Sequence, residues 1–199
     1  MTEIPFRGAL EVAAAIRDKR LSATQYLEYV LNRIEQHDPA LNSVITLNAD
    51  AALTAAHQAD QAVSDGAVLG PLHGVPFGLK DIIDAANLPT TAHSRIYGNN
   101  IPIEDAAVTA HLKQSGAILV AKLATHEFAF GGPSFDLPWP PARNPWDTRM
   151  FTGGSSSGSG AAIAHLLRAL RSARWVVLRR PRCTGAPTQY GRQQPTAES

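Results

Sequence analysis

The run Gly153-Gly154-Ser155-Ser156-Ser157-Gly158-Ser159-Gly160 constrains the fold more than any other stretch of this chain. Its eight consecutive residues carry nothing larger than a hydroxymethyl group. Such a segment buries almost no apolar surface, so it does not form an ordinary core element. Two placements remain. One is a flexible linker. The other is a loop feeding the helix-forming stretch Ala161-Ala162-Ile163-Ala164 directly behind it. A Gly/Ser loop at a helix start gathers backbone N–H groups and hydroxyls around one point, with the positive end of the helix dipole behind them. That arrangement suits an oxyanion or a reactive hydroxyl.

Nucleotide phosphates are the first ligands to weigh. A P-loop needs Gly-Lys followed by Ser or Thr, and here Gly160 is followed by Ala161. A dinucleotide fingerprint needs G-x-G-x-x-G, and Gly158-Ser159-Gly160-Ala161-Ala162-Ile163 lacks the last glycine. Hydroxyl chemistry remains, and a serine needs a base beside it. The seven histidines show no metal-ligand spacing, so no zinc site is expected. An uncharged lysine is the candidate base.

Only four lysines are available, Lys19, Lys80, Lys113 and Lys122. Lys19 lies between Asp18 and Arg20 and reads as solvated surface. Lys113 sits on a helical stretch and reads as exposed. Lys122 ends the apolar run Ala117-Ile118-Leu119-Val120-Ala121 and is expected near the surface at a strand end. Lys80, in Gly74-Val75-Pro76-Phe77-Gly78-Leu79-Lys80-Asp81-Ile82-Ile83, has apolar strand-like residues on both sides. It is either a desolvated base, since burial lowers a lysine's pKa, or a cation paired with Asp81 or Asp84.

From Leu21 to Ala164 the chain resembles the amidase signature enzymes. The matching pieces stand in family order. They are Gly70-Pro71-Leu72-His73-Gly74-Val75-Pro76 with Lys80-Asp81, Pro89-Thr90-Thr91-Ala92, Glu104-Asp105-Ala106-Ala107-Val108 and Gly116-Ala117-Ile118-Leu119. His126-Glu127-Phe128-Ala129, Arg143-Asn144-Pro145-Trp146-Asp147 and the Gly/Ser run follow. The resemblance implies a mixed sheet covered by helices, of which this chain holds the N-terminal portion. It implies amide hydrolysis or amide-nitrogen transfer by a Ser–Ser–Lys relay without metal or organic cofactor. Lys80 matches the family's base. Ser155 matches the bridging serine, which the family holds after a cis peptide bond. Gly154 has no Cβ to obstruct that junction. His73 and His126 fall in family motifs and read as structural or site-lining.

The family's nucleophilic serine lies roughly two dozen residues further on, in a Gly-Gly-Ser turn that also builds the oxyanion hole. Here the matching position is Arg179, and no Gly-Gly-Ser follows Gly160. Composition changes at the same place. Residues 1–164 carry 11 Lys and Arg against 16 Asp and Glu, whereas residues 165–199 carry 7 Arg, no Lys and one acid, Glu198. A basic tail can bind nucleic acid, but this one carries Trp175-Val176-Val177-Leu178 and begins abruptly. The reading frame is therefore expected to shift near His165, leaving 165–199 as an Arg-rich segment outside the family sequence.

Three functions follow. The favoured one is an amidase acting on a small-molecule amide, inactive here for want of its nucleophile. The second is the glutaminase (A) subunit of a glutamyl-tRNA(Gln) amidotransferase, which works with partner subunits. Residues 130–139 lack the Ser/Thr-Glu-Asn run associated with it. The third is a non-catalytic remnant, or a nucleic-acid binder acting through its arginines. A cytoplasmic location without a membrane span is expected, because no stretch approaches the ~20 apolar residues that a bilayer requires, and the single cysteine permits no internal disulfide.

Periodicity predicts alternating helices and strands, hence an α/β sheet. Ser22 opens a helix ending at Asp38-Pro39. Val44–Leu47 is strand-like. Asp50 caps an Ala-rich helix stopping near Gly66, and Val75–Leu79 is a second strand. Asp105 caps a helix through Leu112, and Ala117–Val120 is a buried strand. Ser156, Ser157 and Ser159 either bond Lys80 or cap a helix at Ala161. Trp139 and Trp146 mark a rigid Pro-rich loop, either one wall of a cleft or a loop pinned by its aromatics. With later strands lost, open sheet edges and poor solubility are expected.

Overall fold

The computed structural model describes residues 8–169, with side chains as far as Ala164. The Arg-rich segment beyond Ala169, including Arg179, lies outside the described residues. Three strands form a mixed sheet in the order β1-β3-β2. Strand β1 (Val44–Leu47) runs antiparallel to β3 (Ile118–Leu123), and β2 (Pro76–Lys80) runs parallel to it. All six residues of β3 are buried, as befits a central strand whose sequence is apolar except for Lys122.

Alternation along β3 divides the core. Ile118 and Val120 join Val75 against helices α1 (Ala9–Arg17), α2 (Ala23–Leu41) and α3 (Ala49–Ser64), packing on Ile16, Leu27, Val30 and Ala56. Leu119 joins Phe77, Leu79 and Leu112, the last from helix α4 (Ala107–Gln114). Successive side chains leave opposite faces of a strand, so helices cover both sides of the sheet. The α/β class and helix-covered mixed sheet agree with the expectation. A separate hairpin, β4 (Arg143–Asn144) with β5 (Asp147–Phe151), precedes helix α5 (Ser157–Ala169). Helix α5 crosses the expected family boundary at residue 164 without interruption.

Several helix ends differ from the sequence expectation, each for a stated reason. Helix α2 continues through Pro39 to Leu41. Asn42, left-handed at φ 52°, ends it with a bond from its N–H to Asp38 O. The Asp38 carboxylate accepts from Ser43 N (2.8 Å) and Val44 N (3.2 Å), tying the helix end to β1. Asp50 lies inside the first turn of α3, and the N-cap is Asn48, whose amide donates to Leu119 O instead. Ala106 is the N-cap of α4. Asp105 instead accepts from Ala86 N and Lys113 Nζ, each at 2.8 Å, which occupies its carboxylate away from the helix start.

Asp60 of α3 clamps the start of α2. Its carboxylate accepts from Ala23 N (2.7 Å), Thr24 N (3.0 Å), Ser22 Oγ (2.6 Å) and Thr24 Oγ1 (2.7 Å). Burial pushes this carboxyl up, but the bonds from Ser22, Thr24 and Ala23 outweigh it and hold it below the ordinary aspartate value. Replacing Asp60 with Asn is expected to cost about 1–2 kcal/mol at pH 7, read by urea unfolding. A depressed folded value stabilises above the ordinary one, near pH 4. The contribution fades as pH falls through the lower folded value, so the wild-type advantage is expected to vanish in melts at the acid end.

Candidate active site

The site forms where the C-terminal ends of β2 and β3 meet the start of α5. Strand β2 delivers Lys80, half-buried at its last residue. Lys80 Nζ donates to Ser155 Oγ at 2.6 Å across 75 residues of sequence. The Gly154–Ser155 peptide is cis.

Helix α5 begins at Ser157, so Ser157-Gly158-Ser159-Gly160 form its first turn, four residues before the expected start at Ala161. The reason is steric. Gly158 N donates to Ala124 O at 2.8 Å, and a Cβ on Gly158 would collide with Ala124 N and Ser43 O. The helix thus touches the end of β3 backbone to backbone. Ser157 and Ser159 are buried in that turn, and Thr152 Oγ1 donates to Ser157 O at 3.0 Å. Ala124, Ala142 and Ala161 fill the small core beneath.

His126 braces the other side. Its N–H donates to Ser155 O at 2.9 Å, and its ring lies where a Cβ of Gly154 would go. Nδ1 lies 2.9 Å from Gly131 O. A carbonyl only accepts, so Nδ1 carries the hydrogen and Nε2 presents a lone pair. Among the described residues neither His126 Nε2 nor Thr125 Oγ1 has a hydrogen-bond partner. Both border a small cleft together with His93, Thr152 and Ser157.

His93 Nε2 donates to Trp139 O at 2.8 Å, and the two rings meet edge-to-face. Trp139 is therefore the aromatic that pins the Pro-rich loop, whereas Trp146 is exposed. His73 is structural: buried, with Nε2 2.9 Å from Ala59 O.

Lys122 is a correction. Expected near the surface, it is fully buried, with Nζ 2.9 Å from Asp81 Oδ1. It donates to Thr90 Oγ1 (2.6 Å) and Pro89 O (3.2 Å). Burial pushes the Lys122 ammonium down, and the Asp81 and Asp84 carboxylates oppose the shift. Asp81 Oδ2 accepts from both Thr91 N (3.0 Å) and Thr91 Oγ1. Asp81, one of the two acids open to Lys80 from sequence, is thus engaged by Lys122 and Thr91. The only sequence signal for this network was two adjacent threonines between apolar residues.

Four non-glycine residues hold left-handed backbone around the site: Ala92 (φ 50°), His93 (φ 56°), Phe128 (φ 48°) and Ala129 (φ 59°). Phe128 N bonds Ala92 O at 3.0 Å, joining the two strained turns. No helix among the described residues is long and apolar enough to cross a membrane.

The Amidase family profile matches residues 25–170. The chain belongs to that family, the amidase signature enzymes. It is 40% identical over 164 residues to the A subunit of the glutamyl-tRNA(Gln) amidotransferase of Acidothermus cellulolyticus, spanning 82% of this chain and 32% of that protein. The same protein of Geobacter metallireducens is 41% identical over 154 residues, 77% of this chain and 32% of its own length. Among solved structures, the peptide amidase of Stenotrophomonas maltophilia superposes with a TM-score of 0.71 at 32% identity, covering 81% of this chain and 34% of that one. Fatty acid amide hydrolase gives a TM-score of 0.76 at 25% identity, covering 80% and 28%. The chain spans about a third of the length of the relatives it matches.

Gly158→Ala tests the close approach. The added methyl has only backbone to meet, so stability is expected to fall by about 1–3 kcal/mol in chemical denaturation. Gly160, with open space around its Cβ position, serves as control. Gly160→Ala is expected to leave stability unchanged or raised.

Proposed function

We propose that Lys80 and Ser155 form the proton-relay half of an amide-hydrolysing centre, and that this chain lacks the attacking half. The observation that carries the reading is the 2.6 Å contact from Lys80 Nζ to Ser155 Oγ. In this relay a neutral Lys80 takes a proton from Ser155, and Ser155 takes one from the nucleophile. The proton then returns to the leaving amine, so one lysine serves first as base and then as acid. A hydroxyl nucleophile would attack the amide carbonyl, release ammonia or an amine, and leave an acyl ester for water to cleave.

The nucleophile's matching position is Arg179, which has no hydroxyl, and no Gly-Gly-Ser turn follows Gly160 to supply oxyanion N–H donors. A frame shift near His165 accounts for the loss together with the abrupt change to Arg-rich composition. If neither other frame of the coding DNA yields a Gly-Gly-Ser turn past that point, the frame-shift explanation is wrong.

The substrate class is a small-molecule amide handled in the cytoplasm. A second reading is supported by the relatives: the first curated ones are named as the A subunit of glutamyl-tRNA(Gln) amidotransferase, at 36–41% identity. Under it the amide is glutamine and partner subunits are required. Residues 130–139 lack the Ser/Thr-Glu-Asn run associated with that glutaminase, which keeps the general amidase in front.

The full chain is expected to hydrolyse simple amides no faster than buffer and to form no adduct with a fluorophosphonate probe. Turnover that Lys80→Ala abolishes would mean that another hydroxyl attacks. In a chain whose family frame is restored past His165, Lys80→Ala is expected to lower kcat by about 10²–10⁴-fold.

A further inference from the structure

We propose that Lys122 is a positioning residue of the Lys80–Ser155 site: it captures the Asp81 carboxylate on the opposite face of the sheet, so that the acid next in sequence does not hold Lys80 as a cation. The inference rests on the reading of Lys80 as a base.

Lys80 ends β2, and Asp81 opens the turn after it, where Ile82 N and Ile83 N both bond Lys80 O and Asp81 N bonds Leu123 O. On β3, Lys122 is the register partner of Leu79 and Leu123 that of Lys80, so Lys80 and Lys122 leave opposite faces of the sheet. On one face Lys80 meets Ser155, and on the other Asp81 meets Lys122. Both members of the second pair have 0% of their side chains exposed. A carboxylate so placed and left unbalanced would favour protonated Lys80 through the thin backbone layer. A protonated lysine cannot accept the relay proton. Lys122 cancels that charge, and two bonds from Thr91 hold the carboxylate in place.

The same ammonium fixes the loop that frames the site. Its bonds to Pro89 O and Thr90 Oγ1 anchor residues 89–93. From there Ala92 O receives Phe128 N, two residues after His126, whose own N–H bonds Ser155 O. Lys122 thus reaches the relay by charge through Asp81 and by hydrogen bonds through the loop. Asp84 is the other ionised group acting on Lys122. His126 is the titratable neighbour of Ser155, and Asp84→Asn and His126→Gln serve as controls for the two.

The chain has only four lysines, so labelling with ε-¹³C lysine gives four resonances, and Lys80→Arg assigns the one that matters. In Lys122→Met the Lys80 midpoint is expected to rise by about one pH unit or more, and in the near-isosteric Asp81→Asn to fall by about as much. The double variant buries no charge and is expected to return the midpoint to within about half a unit of wild type. Lys122→Arg keeps the cation and is expected to preserve the wild-type midpoint. Amide spectra report the fold of each variant, and Asp81→Asn carries the test where Lys122→Met does not fold. An unmoved Lys80 midpoint in folded Lys122→Met and Asp81→Asn overturns the proposal and leaves Lys122 a packing residue. Ser155→Ala in the otherwise native chain tests the underlying reading separately. If it does not move the Lys80 midpoint, Lys80 is not the base of this site, whatever the Lys122 variants do.

Discussion

The contact between the start of α5 and the end of β3 is the constraint on which the site depends. Gly158 N lies 2.8 Å from Ala124 O, and Ala124 N lies 2.9 Å from Ser43 O. Helix, central strand and the β1 entry are therefore joined through main chain at one point. No side chain fits between them at Gly158, and the His126 ring excludes one at Gly154, whereas Gly153 and Gly160 face open space. Alanines complete the seam, with Ala124, Ala142 and Ala161 all buried there. Close approach sets the height at which the helix begins, and the residues just before it then hang over the end of β2. That is where Ser155 meets Lys80. Reach and chemistry come from two residues, but their separation is set by glycine and alanine.

Behind this seam lies a charge pair whose energetics are balanced. At an effective dielectric of about 20, unit charges 2.9 Å apart attract by about 6 kcal/mol. Desolvation of each ion costs several kcal/mol. The attraction alone does not stabilise the fold. Bonds from Thr91 to Asp81, and from Lys122 to Thr90 and Pro89, tip the balance. A pair of this kind adds little net stability but makes the loss of either partner expensive. It selects one arrangement of residues 89–93 over its competitors, and those residues carry the left-handed Ala92 and His93. Strained backbone persists only where surrounding bonds over-determine it, and here the ion pair supplies several of them.

What was legible in the sequence follows the range of the physics involved. Helices and strands with periodic apolar residues are the most legible, because periodicity is local: Val44–Leu47 matches β1, and the expected Ala117–Val120 falls on β3, which starts one residue later and runs on through Lys122 to Leu123. The two candidate site residues stood out for different reasons, Ser155 by its small neighbours and Lys80 by its apolar ones. Caps read poorly. Asp50 and Asp105 have the right chemistry for N-caps, but Asp105 meets Lys113 and Ala86, and Asn48 takes the cap of α3. Pro39 signalled a helix end two residues early, since Asn42 N still bonds Asp38 O beyond it. Lys122 was invisible as a buried cation. Its partner Asp81 lies 41 positions upstream, and a lysine closing an apolar run looks the same from sequence whether it meets water or a carboxylate.

The change of composition at residue 165 is not a break in the backbone, since α5 continues to Ala169. Leu166, Leu167, Arg168 and Ala169 are strong helix formers, so a helix started upstream extends through them whatever their origin. The residues that position the Lys80–Ser155 contact all precede that point. Ser43, Lys80, Asp81, Lys122, Ala124, His126, Ser155 and Gly158 lie between residues 43 and 158. The contacts described among them are made within residues 43–158. Under the proposed reading, a chain altered downstream can therefore keep the Lys80–Ser155 contact while lacking the hydroxyl that would use it. The two are separable because the residues that set the contact precede the C-terminal end of α5, and the position matching the nucleophile follows it.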